Sequence, residues 1–255
     1  MRVAALAYSV LAYVVFLGAF LYAIGFVGNV LVPKSIDSGP AVPTSTALLV
    51  DAALLGAFAV QHSVMARRGF KAWWTRVVPA PVERSTFVLA SSLVLILLFR
   101  EWRPLPEPVW SLDPRAGGVE ALGAWLLTAL SCLGWATVLV STFLIDHFDL
   151  FGLRQGWAFF RGRTLEPRAF TTVGLYRRVR HPIMLGFIVA FWATPVMTWG
   201  HLLFAALTTG YVLVAIQLEE RDLVAHLGQA YDDYRKRVPM LSPRLGGDAP
   251  EREAR

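Results

Sequence analysis

The sequence has few charged residues and a single cysteine. Only 16% of its 255 residues are charged, whereas a soluble domain averages about 25%. One cysteine, Cys132, excludes a disulfide framework and a cysteine-ligated metal site, and we expect no metal. The chain also has no internal repeat and no Gly-rich strand–helix fingerprint of a dinucleotide-binding domain. Its hydrophobic content is 56%, with a mean hydropathy of +0.52, which is typical of a membrane protein.

Long apolar runs define the fold class. A helix needs about 20 apolar residues to cross the hydrocarbon core. Four runs qualify, although the third is short: Val3–Val32, Ala47–Met65, Ser85–Phe99 and Ala121–Ile145. The first run is too long for a signal peptide, so we expect it to be retained. A fifth run, 182–218, is too long for one span and contains Gly200, which weakens a helix. It predicts a hairpin of two short spans that turns at Thr198-Trp199-Gly200. The fold is therefore an all-α integral membrane helical bundle of about six spans, ending in a helical hairpin.

Lysine and arginine lie almost entirely on one side of this bundle. All but four of the 24 basic residues belong to the N-terminus, to segments 66–84 and 146–181, or to the tail from residue 219. The exceptions are Lys34, Arg100, Arg103 and Arg115. Basic residues are retained on the cytoplasmic side of a membrane, so both termini and the basic segments are expected to be cytoplasmic. The partner that explains the net charge of +6 is the lipid bilayer, and nucleic-acid binding is not implied.

A helix start on the basic side could bind an anion. Pro182 favours the first position of a helix, which puts His181 near the N-cap. Free N–H groups and the positive dipole end attract a carboxylate or phosphate there, and Arg180 and His181 add donors. Gly186, one turn further on, allows a ligand or another helix to approach closely. A basic juxtamembrane anchor is the alternative explanation of these residues.

Acidic and aromatic residues follow the hairpin on the same side. Glu219 and Glu220 could receive an ammonium group, a ribose diol or a sulfonium cation, or they could be a salt-bridged helix start. Tyr231 and Tyr234 are three residues apart and hence on one helix face. They could form the wall of an adenine site or seat a helix on the membrane surface. Because a hairpin returns to the side where it began, we expect the glutamates to lie near His181.

These motifs resemble the isoprenylcysteine carboxyl methyltransferase and phospholipid methyltransferase superfamily of multi-span enzymes without a Rossmann domain. The resemblance rests on Tyr176-Arg177-Arg178-Val179-Arg180-His181-Pro182 with Gly186, then Glu219-Glu220-Arg221-Asp222-Leu223, Gly228, Tyr231, Tyr234 and Val238-Pro239. It covers residues 182–245 strongly and 121–181 more loosely. It implies that the cofactor is S-adenosyl-L-methionine, surrounded by Tyr176, Arg180, His181, Gly186, Glu219, Glu220, Tyr231 and Tyr234.

Within the superfamily, residues 148–155, 181–187 and 191–195 are similar to the bacterial methanethiol S-methyltransferase branch, whose product is dimethyl sulfide. Met184 stands where the prenylcysteine branch usually has an aromatic residue, which indicates a different acceptor pocket. We expect that pocket to include Gln61, His62, Phe151 and Met184, since polar residues inside a membrane are costly and tend to be functional. The resemblance also implies a place in the bacterial cytoplasmic (inner) membrane.

A candidate base ends the fourth span on the cytoplasmic side. A thiol attacks as its thiolate, and a small alkyl thiol is mostly protonated at neutral pH, so a base within hydrogen-bond reach would help. His147 has two carboxylates close in sequence, and Asp146 or Asp149 could fix its tautomer and raise its basicity. The alternative is a polar helix end among lipid headgroups.

The function predicted from these residues is methyl transfer from S-adenosyl-L-methionine to methanethiol by in-line displacement. A lipid or prenylcysteine acceptor is the second hypothesis, and a non-catalytic membrane assembly factor is the third. We divide the chain into N-terminal transmembrane helices at residues 1–120, a methyltransferase core at 121–245 and a disordered tail at 246–255.

Overall fold

The structure is a computed structural model that describes residues 1–165 and 172–242. The tail predicted to be disordered therefore lies outside the described residues. The elements are α1 Arg2–Gly28, α2 Thr44–Ala66, α3 Arg68–Trp74, α4 Ala80–Glu101, β1 Pro108–Ser111, α5 Gly118–Ile145, α6 His147–Leu150, α7 Leu153–Phe160, a 3-10 turn Gly174–Arg177, α8 Pro182–Trp192, β2 Val196–Thr198, α9 Trp199–Leu227 and α10 Gln229–Arg237.

The expected all-α membrane fold is confirmed. Among the described residues, five helices are long and apolar enough to cross a membrane: α1, α2, α4, α5 and α9. Helix α8 has 11 residues and is therefore about 16 Å long. The extended segment 193–198 continues its path and adds up to about 20 Å. Together, α8 and the extended segment are long enough for the chain to reach the opposite end of the bundle.

Two spans, α1 and α4, have boundaries that differ from the expected ones. Helix α1 ends at Gly28 because Asn29 adopts the left-handed conformation and its N–H donates to the Gly25 carbonyl. Helix α4 has 22 residues and is not short, because Pro79 and Pro81 start it before the apolar run begins.

The hairpin is unequal, and its bend lies earlier than expected. Gly200 is in the first turn of α9, so the chain turns within residues 193–198. The Thr198 side chain caps α9 by accepting from the His201 N–H. Helix α9 has 29 residues and is not a short span. Glu219 and Glu220 therefore belong to its C-terminal third and do not begin a helix.

A small antiparallel sheet joins the hairpin bend to the loop after α4. Strand β1 pairs with β2, with Trp110 opposite Met197. The N–H of Gly200 donates to the Leu105 carbonyl, and the Thr198 hydroxyl donates to Asp37. We call this end of the bundle, with the loops 29–43 and 102–117, the strand end.

Helices α5 and α8 are in unusually close contact. A Cβ added at Gly186 would lie 2.7 Å from the Gly134 carbonyl oxygen, and one at Gly134 would lie 2.6 Å from the Ala190 nitrogen. Only residues without a side chain allow backbones to meet at this distance. The contact fixes the N-terminus of α8, with His181 at its N-cap and Pro182 in its first turn as expected, against the C-terminal half of α5.

Candidate active site

The sequence motifs meet at the end of the bundle opposite the sheet. We call this the basic end, comprising the segments 66–84, 146–165, 172–181 and 219–242. Ion pairs and hydrogen bonds cross between its segments. Arg67 pairs with Asp222 at 2.8 Å, and the Arg84 Nε donates to the Leu150 carbonyl at 2.7 Å. The structure thus brings the loop after α5, the start of α8 and the end of α9 together.

Glu220 is the centre of a buried network. Its Oε1 accepts from the Arg180 Nε at 2.7 Å and lies 3.1 Å from the His181 Nε2. The glutamate is only 7% exposed. A buried charge needs a partner of opposite sign and good hydrogen bonds, and Arg180 supplies both. The pairing expected between the α8 start and the hairpin's return is therefore present.

Arg180 also holds the C-terminal segment in place. Its Nη1 donates to the carbonyls of Arg235 and Val238, at 2.7 and 2.8 Å. The backbone N–H groups of Arg180 and His181 donate to the carbonyls of Pro239 and Met240. The N–H groups at this helix start are expected to attract an anion. One of them, the N–H of His181, already donates to a carbonyl of the same chain.

Glu219 differs from its neighbour in both exposure and partners. Its side chain is 49% exposed, and its Oε2 lies 3.8 Å from the His181 Nδ1. The negative charge of Glu219 also contributes to raising the pKa of Tyr176. Glu219 therefore offers an accessible carboxylate beside the buried network.

The tyrosines are buried on one face of α10, as expected. The ring centroids of Tyr231 and Tyr234 are 5.8 Å apart. The Tyr234 hydroxyl donates to the Tyr176 carbonyl at 2.6 Å. Burial raises the pKa of Tyr234 to about 12 and also raises the pKa of Tyr231 and Tyr176. All three phenols are therefore neutral hydrogen-bond donors at physiological pH.

His147 is buried between two hydroxyl groups. Its Nε2 lies 2.9 Å from the Tyr13 hydroxyl, and its Nδ1 lies 2.8 Å from the Thr142 Oγ1. The Phe143 ring stacks on the imidazole with a centroid distance of 4.2 Å. Phe151 contacts the same imidazole at 4.9 Å and stacks on Phe16. Phe151, expected in the acceptor pocket, thus lies beside the candidate base.

The groups that orient His147 are hydroxyls and not the carboxylates expected from the sequence. Asp146 caps α6 by accepting from the Asp149 N–H, and it pairs with Arg154 at 2.9 Å. Asp149 Oδ1 accepts from the Gln155 side chain and lies 3.7 Å from Arg154. Asp146 acts on the imidazole through its charge, which raises the pKa of His147, while burial lowers it more strongly. The partners that the structure shows for these carboxylates are the N-terminus of α6, Gln155 and Arg154, which are favourable partners for a negative charge.

The remaining expected site residues are spread more widely. The His62 ring lies against Phe58 and Phe87, and its Nδ1 is 3.3 Å from the Ser91 Oγ. Gln61 donates to the Met65 sulfur, and its Oε1 is buried with no partner among the described residues. The structure gives neither of them a hydrogen bond or ring contact to His147.

Gly186 and Met184 follow the start of α8. Gly186 packs on the backbone of α5, so its missing side chain serves the approach of a helix, one of the two expected alternatives. Met184 is partly buried one turn before the crossing point.

Arg84 is a further residue of the basic end, and no sequence motif singled it out. Its guanidinium lies 5.2 Å from the Phe87 ring centroid and interacts electrostatically with both Asp149 and Glu219. A cavity of about 290 Å³ is lined by Lys71, Glu83, Arg84, Asp149, Leu150 and Gln155. Arg84 thereby interacts electrostatically with both the α6 segment and Glu219. The feature of the sequence that could have identified Arg84 is a single arginine at the edge of an apolar run.

The chain is similar to curated proteins along almost its whole length. It is 58% identical to methanethiol S-methyltransferase of Mycobacterium tuberculosis, over 92% of this chain and 94% of that protein. It is 54% identical to methanethiol S-methyltransferase 2 of Bradyrhizobium diazoefficiens, over 96% and 92%. Nurim of Homo sapiens is 30% identical over 68% of this chain and 66% of its own length.

Two further comparisons gave no match. No protein-family model matches the chain, and no solved structure matches it.

Proposed function

The chain belongs to the methanethiol S-methyltransferase family, and on that premise we propose that it methylates methanethiol with S-adenosyl-L-methionine to give dimethyl sulfide. The observation that carries the proposal is identity above 50% over more than 90% of both chains to relatives that bear this name. The resemblance of residues 148–155, 181–187 and 191–195 points to the same family. The names of these relatives do not state the methyl donor, so the donor is part of the proposal.

The residues of the basic end fit this donor. S-adenosyl-L-methionine carries an ammonium group, a carboxylate, a ribose diol and a sulfonium cation. Glu219 has an accessible carboxylate for a cation or a diol, and Tyr176 a phenol that remains a hydrogen-bond donor. We propose that Glu219, His181 and the tyrosine face of α10 hold the donor, while Arg180 and Glu220 position them. When bound, it supplies an electrophilic methyl group on sulfur.

The protein's task in the chemistry is to make the thiolate. We propose that His147 is the base. Burial lowers its pKa, so the imidazole is neutral at pH 7 and can accept a proton. The aromatic rings around it exclude water and strengthen hydrogen bonding to the groups that remain. We propose that the acceptor pocket is shaped by Phe151 together with Gln61, His62 and Met184.

We propose that the protein spans the bacterial inner membrane with the basic end on the cytoplasmic side. The excess of arginine and lysine in the segments of that end supports this orientation. The site would then open to the cytoplasm, where it can exchange a polar cofactor. Residues 121–245 are proposed as the methyltransferase core, to which α1 adds Tyr13 and Phe16.

A lipid or prenylcysteine acceptor is the second candidate. An apolar groove of about 470 Å³ runs along α1 and α7 and is lined by Leu6, Val10, Phe148, Leu153 and Trp157, with Asp146 and Arg154. Such a groove could hold an alkyl chain as well as admit a small thiol. The two acceptors therefore have to be compared directly.

The test supplies purified protein in lipid nanodiscs with methyl-labelled S-adenosyl-L-methionine and either methanethiol or N-acetyl-S-farnesylcysteine. We expect labelled dimethyl sulfide in the headspace and no labelled prenylcysteine ester. Protein with His147→Ala is the matched control for non-enzymatic methylation. Absence of labelled dimethyl sulfide, under conditions in which calorimetry shows that the donor binds, would overturn the proposed acceptor.

A further inference from the structure

The hydrogen of each hydroxyl around His147 can be assigned from the bonding pattern. A threonine hydroxyl has one hydrogen to donate. The Thr142 Oγ1 lies 2.7 Å from the Leu139 carbonyl oxygen, which can only accept. We assign the Thr142 hydrogen to this bond with Leu139, so that Thr142 accepts at its 2.8 Å contact with the His147 Nδ1.

This assignment implies one tautomer of His147. The Nδ1 carries the hydrogen, which leaves the lone pair of the neutral ring on Nε2. The Tyr13 hydroxyl, 2.9 Å from Nε2, is then the donor of that bond. The result is a directed chain in which Tyr13 donates to His147, His147 donates to Thr142, and Thr142 donates to the Leu139 carbonyl.

The basic nitrogen of His147 is covered by Tyr13. The imidazole is only 4% exposed, and both of its nitrogens have hydrogen-bond partners. Tyr13 is more exposed than His147 and lies against Phe148, one of the residues that line the apolar groove. Of the two hydrogen-bonded groups, Tyr13 is therefore the more accessible one, and it is next to a residue that lines the groove.

We propose that Tyr13 is a catalytic residue that takes the proton from the acceptor thiol and passes its own to His147. The inference rests on the proposed function. The S–H bond breaks as the Tyr13 Oη gains that hydrogen, and the Tyr13 O–H bond breaks as the His147 Nε2 gains the phenolic hydrogen. The sulfur lone pair then forms the new C–S bond with the donor's methyl group, and the electrons of the broken bond remain on the donor's sulfur. His147 ends as the imidazolium and returns its proton to solvent after product leaves.

The groups around His147 suit this transfer. From α1 the imidazole meets Tyr13, from α5 it meets Thr142 and Phe143, and from its own segment it meets Phe148 and Phe151. The charged groups nearby are Asp146 and its partner Arg154. Burial disfavours the imidazolium, and the charge of Asp146 offsets part of that cost.

The test compares Tyr13→Phe with Tyr8→Phe. Tyr8 lies on the same helix, and its hydroxyl makes one bond across to Thr86 of α4, so its variant controls for the loss of an interhelical hydroxyl. We expect Tyr13→Phe to lower kcat about 100-fold at neutral pH, at the lower end of the effect of a positioned acid or base. Donor affinity by calorimetry should change less than twofold in both variants. Tyr8→Phe should keep kcat within threefold.

A pH profile separates proton transfer from a structural role. The deficit of Tyr13→Phe should shrink as pH rises toward the pKa of the thiol, because solvent then supplies the thiolate. Thr142→Val should lower kcat about tenfold, and Thr142→Ser should restore it, since serine retains the acceptor for Nδ1.

The possible outcomes distinguish the role of Tyr13 from the proposed function. A Tyr13→Phe protein with kcat within threefold of the parent, while His147→Ala is impaired, overturns the role of Tyr13 and leaves the proposed function intact. A deficit that is constant with pH also overturns it. Failure of the parent protein to form dimethyl sulfide overturns the proposed function instead.

Discussion

At the scale of single residues, two adjacent glutamates have separate tasks. Glu220 is buried and bonded to Arg180 and His181. Glu219 is half-exposed beside the same histidine. Removing one partner of a buried ion pair leaves an uncompensated charge, whereas removing an accessible carboxylate does not. Replacing each glutamate in turn therefore separates an effect on protein stability from an effect on ligand binding.

We expect Glu220→Ala to destabilise the protein and Glu219→Ala to weaken donor binding. Loss of Glu220 strands Arg180, which typically costs about 3–5 kcal/mol, and the melting temperature in detergent should fall. Loss of Glu219 should leave the melting temperature within about a degree while raising the donor Kd about 10- to 150-fold. That corresponds to about 1.5–3 kcal/mol, the range for hydrogen bonds to charged groups. Unchanged Kd in Glu219→Ala would remove that residue from the donor site.

His147→Ala should lose most of the activity and retain donor binding. A positioned base contributes about 100- to 10,000-fold, which is about 3–5 kcal/mol of transition-state stabilisation. Single-turnover rates at neutral pH give the loss, and calorimetry gives the affinity. A rate within a few-fold of the parent would exclude the base, and His62 would be the next residue to replace.

The acid limb of the parent's pH profile should lie below the ordinary histidine pKa. Burial lowers the pKa of His147 more than Asp146 raises it. The neutral, proton-accepting form therefore persists below about pH 6.5, the unperturbed value. We expect kcat to stay level as pH falls to that point and to decline only below it. A decline that begins above pH 7 would show that another group controls the rate.

At the scale of elements, the contact between α5 and α8 positions both halves of the site. Helix α8 begins with the Arg180-His181 motif, and the last turns of α5 carry Ser141 and Thr142. The carbonyl of Ser141 accepts from the Tyr176 hydroxyl, while the Thr142 Oγ1 lies 2.8 Å from the His147 Nδ1. The glycines at the crossing point thus set the distance between the donor side and the acceptor side.

Gly186→Ala should force the two helices apart. The new Cβ would lie 2.7 Å from the Gly134 carbonyl oxygen and 2.8 Å from a Val138 methyl group. Overpacking of this kind costs about 1–3 kcal/mol. Gly210→Ala, in α9, is the control because a Cβ there meets nothing within 4 Å, and it should be neutral or slightly stabilising. Equal melting temperatures for the two variants would contradict the close contact.

At the scale of the whole molecule, the two ends of the bundle differ in composition and in structure. The strand end contains the small sheet and the proline-rich loops, and the basic end contains His147 and the groups proposed to hold the methyl donor. The polarity of the bundle therefore determines on which side of the membrane the reaction takes place.

Reporter fusions test the proposed orientation. A fusion at Gly39 or at Pro106, both in loops of the strand end, should report the outer side of the membrane. A fusion after Ser242 should report the cytoplasm. The reason is the retention of basic residues on the cytoplasmic side. A cytoplasmic signal from either loop would reverse the model and place the site outside.

The sequence by itself determined features that depend on neighbours within a few residues or on composition along the chain. The apolar runs predicted the helical membrane fold. Pro182 predicted the start of α8, and the spacing of Tyr231 and Tyr234 predicted their shared face. Each of these follows from helix periodicity, proline geometry or the cost of burying polar groups in lipid.

Only the tertiary structure decided which groups pair across helices. Tyr13 meets His147 across 134 positions of sequence, and Arg84 donates to the Leu150 carbonyl across 66 positions. Nothing local distinguishes the buried Glu220 from the accessible Glu219. Such pairings depend on how far each helix is rotated and where it crosses its neighbours. The close contact at Gly186 sets one such crossing, and it results from the packing of the whole bundle.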